Sequence, residues 1–400
     1  MLVRDLKSRI VSSFAPREGE GYYGGVERRY RAAGIVIAVA LVIFVLASLI
    51  FGFREFTYQN IYYFFKDFDT VISADRYPVD AINYGSGEGR SYAAFKGGIA
   101  VADRYSVSVC SSGGRRTAEF NVGYYSPQLR ASEKYLLIYE SGGAFSVCNS
   151  FIRLYSETLP GGIYAAEINA AGEVLVHTGD SRYRAVLYLY DSGFSRAAAY
   201  YISDYVTATA LSADGKYILA ATVDAASGNY VSALRVYRRG ETEPRTILTT
   251  NGEMIMKCGA FFDGFYALTD RGVYVVDANG NVRSHTALAD GRGFVSCEAS
   301  EKCLAALSRD GDGYQLVYVP SQGEGMSVRL DAVPLALGVS GRQAYVLFDG
   351  AVARYDFDSG NVDFVECTPG ALDMVVTASR RVLVCYATRA VYSEFAEVTK

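Results

Sequence analysis

The 400-residue chain contains no tryptophan and only two histidines. His177 and His285 lie far apart, and neither has a second ligand-like residue at metal spacing, so no zinc set or histidine-based nucleophile pair is formed in sequence. Each reads as a strand or turn residue. No G-x-S-x-G elbow, P-loop or dinucleotide fingerprint occurs in the strand and helix context that such motifs need. A basic excess is also lacking: the net charge of -4 and pI near 5.5 exclude the basic stripe of a nucleic-acid-binding protein. No catalytic, cofactor-binding or metal-binding residue is therefore assigned from the sequence.

What is present is a chain that is 50% hydrophobic and 20% charged, a composition with room for a large core. One stretch stands apart. Ala32 to Phe53 runs for 22 residues without a charge, and at about 1.5 Å per residue it predicts one transmembrane helix. The run exceeds a signal-peptide core, and no A-x-A cleavage pattern follows it, so it reads as a retained anchor. Arg28, Arg29 and Arg31 precede the span, with Arg4, Lys7, Arg9 and Arg17 upstream, whereas only Arg54 and Lys66 lie close behind it. That asymmetry predicts a single-pass protein of the cell membrane, with residues 1–31 as a cytoplasmic tail and the C-terminal domain outside. In residues 54–75, Tyr58, Ile61, Phe65, Phe68 and Ile72 line one side of a helical stalk. This stripe packs on the interface or the following domain, or joins two copies as a homodimer.

From residue 76 to 400 the chain reads as all-β. Short apolar runs are separated by Asp214-Gly215, Asp263-Gly264, Asn279-Gly280, Asp310-Gly311 and Asp349-Gly350, dipeptides that supply the positive φ of tight hairpins. The runs come in fours. One unit comprises Met254–Ala260, Phe265–Thr269, Gly272–Asp277 and Val282–Thr286. Later units start near Gly293, Ala332 and Ala371, about 39 residues apart, a spacing expected of four-stranded propeller blades. Earlier ones start near Ser91, Tyr124, Ile163 and Tyr205. The prediction is an eight-bladed β-propeller, with seven blades as the alternative. The last unit has only three strands, so Pro78–Gly85 is expected to supply its fourth and close the ring.

The segments RYPVDAINYG (76–85), YYSPQLRASEKYLLIYESGG (124–143) and TALSADGKYILAAT (209–222), followed by the Gly228 loop and SALRVYRR ending at Arg239, carry a family resemblance. With the apolar N-terminal run, they resemble an uncharacterised family of membrane-anchored propeller proteins from Gram-positive, largely clostridial, bacteria. The resemblance implies an extracytoplasmic location and carries over no functional residue. More distantly the blades look like those of quinoprotein-type and WD-repeat propellers, although a chain without tryptophan lacks the docking tryptophans of the former and the Trp-Asp signature of the latter.

Four local features invite chemistry. Asp310-Gly311-Asp312-Gly313 reads as a hairpin turn before it reads as a calcium loop, and Ser86–Gly89 as a loop. Seven cysteines read chiefly as small buried hydrophobes, with Cys297 and Cys303 the one pair placed to form a disulfide across a hairpin. The 33 tyrosines suit half-buried strand positions, or form a stacking surface for protein or glycan. The functional expectation is a non-enzymatic module at the cell envelope that binds a protein or a cell-wall glycan. The alternatives are an enzyme acting on a surface polysaccharide or small molecule, and a single-pass receptor signalling to its tail.

Overall fold

The structure, a computed structural model, describes residues 80–395 apart from 86, 88–89, 227–228, 290–292 and 379, together with helical positions within 30–44. The chain divides into two units, Met1–Asp69 and Thr70–Lys400. The second is the eight-bladed propeller, and eight four-stranded antiparallel sheets account for all its strands. Blades 1 to 7 are continuous in sequence: Ser91–Asn121, Gln128–Thr158, Ala165–Ile202, Tyr205–Asn251, Ile255–Ala287, Phe294–Leu330 and Ala336–Glu366. Blade 8 takes three strands from Asp373–Glu394 and its outer strand from Ala81–Asn83.

Strand alternation builds the core. In Leu136–Tyr139 of blade 2, Leu136 and Ile138 pack towards blade 1 while Leu137 and Tyr139 pack towards blade 3, because successive side chains point to opposite faces of a sheet. All four are buried, so such a middle strand reads in sequence as an unbroken apolar run. The pattern repeats around the ring. Eight buried clusters lie one between each pair of successive blades, and the one between blades 8 and 1 closes the circle. Six of the cysteines sit buried within these strands, and all seven are free thiols.

The closing strand falls where the unfinished last unit placed it. Ala81, Ile82 and Asn83 pair with Val391, Ala390 and Arg389, and Ile82 and Tyr84 enter the cluster shared by blades 8 and 1. Four of the five turn glycines adopt positive φ: Gly215 (67°), Gly280 (90°), Gly311 (57°) and Gly350 (88°). Gly264 does not. It opens a strand, and a side chain there would press on the Val276 carbonyl oxygen 2.6 Å away.

Two expectations are corrected. The transmembrane helix at Ala32–Phe53 is not found: no helix among the described residues is long and apolar enough to cross a membrane. The tail 1–31, Tyr30 excepted, and the stalk 54–75 lie outside the described residues. The Cys297–Cys303 pair is corrected by register. Cys297 stands opposite Ala306, and Cys303 pairs with Pro320 on the following strand, so the two sulfurs do not meet across the hairpin.

Candidate functional site

In a four-stranded meander the turns joining strands 1–2 and 3–4 leave on one face, and the 2–3 turn and the link to the next blade leave on the other. The face bearing the links gathers exposed tyrosines over blades 1 to 4. Tyr105 lies in a 2–3 turn, Tyr125 and Tyr164 in links, Tyr183 and Tyr230 at 2–3 turns, and Tyr205 at the start of blade 4. Tyr105, Tyr125 and Tyr164 are 76%, 73% and 66% exposed, values far above those of the tyrosines in the interblade clusters. Over the other blades the same face continues with exposed Met254, Phe294, Leu335 and Leu372. On the opposite face, Phe262 is the exposed aromatic residue in a turn among the described residues.

The exposed rings are held. The Arg104 guanidinium lies 4.3 Å from the centre of the Tyr125 ring, and that of Arg184 lies 4.6 Å from Tyr205. The Tyr125 amide donates to the Glu140 carboxylate at 2.8 Å, and the Tyr230 hydroxyl donates to Asp270 at 3.1 Å. Tyr164 packs on His177 with ring centres 5.0 Å apart. Rings fixed before binding lose less side-chain entropy when a partner arrives.

The opposite face opens on a cavity of about 360 Å³ between the first strands and 1–2 turns of blades 2 to 6. Its polar lining includes Glu133, Glu167, Glu301, Asn169, Ser300 and Tyr266. Glu167 takes a hydrogen bond from the Leu211 amide at 2.8 Å. Burial raises its carboxyl pKa above the usual range, although that bond and the charges of Arg130 and Lys257 pull the other way. Burial raises Asp373, at the start of blade 8, in the same sense. The cavity was not legible in sequence, because five blades contribute to it and each supplies only two to four of its lining residues.

The sequence candidates separate. His177 is buried in a strand of blade 3, and burial lowers its pKa to about 4. His285 is a strand residue of blade 5 stacked on Tyr274, 4.2 Å between ring centres. Asp310 pairs with Gly313 across a two-residue turn, so that segment is a hairpin. Ser86, Glu88 and Gly89 lie outside the described residues. The tyrosines divide, some filling cores, as Tyr190, Tyr318 and Tyr345 do, and others forming the exposed arc.

Residues 73–327 match a family described as a family of unknown function, DUF5711, and the chain belongs to it. The match includes the closing strand and ends inside blade 6. It does not carry the membrane anchoring or clostridial source that the resemblance implied. No curated protein matches. Among solved structures, the β-propeller domain of Myceliophteria_thermophila Cps50 (Swd1) is similar at a TM-score of 0.51 and 12% identity, over 80% of this chain and 99% of that one. Kuenenia stuttgartiensis hydrazine synthase is similar at 0.49 and 11% identity, over 80% of this chain and 98% of that one. The Cps50 likeness supports the propeller fold and nothing finer.

Proposed function

We propose that this member of the family is a non-enzymatic protein-interaction module that docks its partner on the link-bearing face of blades 1 to 4. One observation carries the reading: exposed tyrosines are concentrated on that face, two of them stacked under arginines. Tyrosine and arginine are the side chains most enriched in binding hot spots. A glycan is the poorer fit, because the Arg104 and Arg184 guanidinium groups cover ring faces on which a sugar would stack. A rigid sheet scaffold beneath the arc holds its geometry, as recognition by preset loops requires.

The test is capture by the full chain under mild crosslinking, compared with a Tyr125→Ala/Tyr205→Ala variant and with Phe262→Ala on the opposite face. A protein retained by the wild type and by Phe262→Ala, and lost by the double variant, supports the reading. Equal retention by all three, or loss with Phe262→Ala alone, overturns it.

A further inference from the structure

We infer that the cavity lined by blades 2 to 6 is a binding site for a protonated primary amine. It lies on the face opposite the tyrosine arc and is independent of it.

The cavity's chemistry is that of an acceptor set. Glu167 uses one carboxylate oxygen for the Leu211 amide and has the other to offer, while Glu133 and Glu301 stand at exposed turn positions of the lining. The nearby cations are turned to other partners: Lys257 donates to the Cys297 carbonyl at 3.0 Å, and Arg130 to the Leu129 carbonyl at 3.0 Å. Neither lines the cavity. Glu167 is half-buried, and a carboxylate drawn partly out of water is stabilised by a cation with several N–H groups.

Tyr266 supplies a second, independent sign. Its side chain is 5% exposed and belongs to the core between blades 5 and 6, yet it lines the cavity. Its hydroxyl has no hydrogen-bond partner among the described residues. Its oxygen is not sealed in the core but open to the cavity, where it is free to accept from a ligand. The group occupies the space that a Cβ on Gly259 would take, so glycine at that position is what lets the hydroxyl reach the cavity. An ammonium has three N–H donors, and the Glu167 carboxylate, the Tyr266 oxygen and a rim carboxylate make three acceptors. At about 360 Å³ the space suits a small molecule, at the lower end of ligand-site volumes.

The test is titration calorimetry on the full chain with n-butylamine, with sodium butyrate at equal ionic strength as the control. Saturable amine binding is expected with none for butyrate. Glu167→Gln, which keeps an acceptor for Leu211, should weaken it about tenfold, and Tyr266→Phe several-fold. Should Glu167→Gln fail to fold, Glu133→Gln and Glu301→Gln, at exposed turns, should each weaken binding about threefold. A capped lysine tripeptide separates the sources of the ammonium: tighter binding than butylamine assigns it to a peptide chain, and weaker binding to a free amine. Absence of binding by both, or amine binding untouched by every one of these substitutions, overturns the assignment.

Discussion

The Tyr84 hydroxyl lies 2.7 Å from the Tyr386 carbonyl oxygen, a residue 302 positions further along the chain, and 2.8 Å from that of Arg389. One side chain thus fastens the start of the propeller to its end. Arg90 reinforces it, lying over the Tyr84 ring and donating to the carbonyls of Gly85 and Ala387.

Because that hydroxyl serves two carbonyls, Tyr84→Phe leaves acceptors without their donor. It should cost about 1–2 kcal/mol, read as a lower urea midpoint with unchanged slope. Deleting residues 80–85 goes further, since it bares the edge strand Arg389–Glu394 and opens the cluster between blades 8 and 1. The deletion should lower the thermal midpoint and promote association. An unchanged midpoint would show that the ring does not depend on its clasp.

Gly215 combines a φ of 67° with close packing: an added Cβ would overlap the Glu173 carboxylate. Glu173 is buried, bonded to Asn169 at 2.9 Å and paired with Arg239 from blade 4. Gly215→Ala should therefore cost about 2–4 kcal/mol, the sum of a left-handed backbone and a displaced ion pair. Gly311→Ala, with a φ of 57° and open space around it, should cost about 1 kcal/mol. Equal costs in chemical denaturation would remove the contribution of Glu173.

These turns show which parts of the fold were legible in sequence. Asp214-Gly215 and its counterparts mark hairpins through local backbone chemistry, and a three-stranded last unit exposes the need for a fourth strand from Ala81–Asn83. Both are short-range or counting arguments. The Cys297 to Cys303 hairpin misled because the register sets Cys297 opposite Ala306, while the Cys303 thiol donates to the Gly341 carbonyl of blade 7 at 3.2 Å. The tyrosine arc and the cavity needed the ring itself. Tyr125 and Tyr124 are neighbours in sequence, yet one is 73% exposed and the other is buried with its hydroxyl 2.8 Å from that of Ser146. Nothing in the composition separates them.

The thiols should be inert in the native chain. Burial pushes Cys148 up to about 12 and raises Cys297 and Cys303 as well, which removes the thiolate that reagents attack. Ellman's reagent should react quickly with at most the half-buried Cys367. All seven should react once the chain is denatured without reductant. Fewer than seven would reveal a disulfide.

His177 gives the fold an acid sensitivity with a definite window. It is 6% exposed, and burial alone lowers its pKa to about 4 from the ordinary 6.5. Below pH 6.5 the unfolded chain takes up a proton that the folded imidazole refuses, so stability is full above 6.5 and falls as the pH drops towards 4. The slope is about 1.4 kcal/mol per pH unit and the total on the order of 3 kcal/mol. Glu167 and Asp373 act in the opposite sense, because their raised pKa values make the folded state the stronger proton acceptor. The wild-type curve alone therefore mixes these effects, and the difference from His177→Gln isolates the histidine. Unfolding free energies of the two proteins, measured in urea from pH 7.5 to 4, should keep a constant gap above 6.5 and converge or cross below it as the wild type loses stability faster. Parallel curves through that window would show that His177 takes up its proton inside the fold.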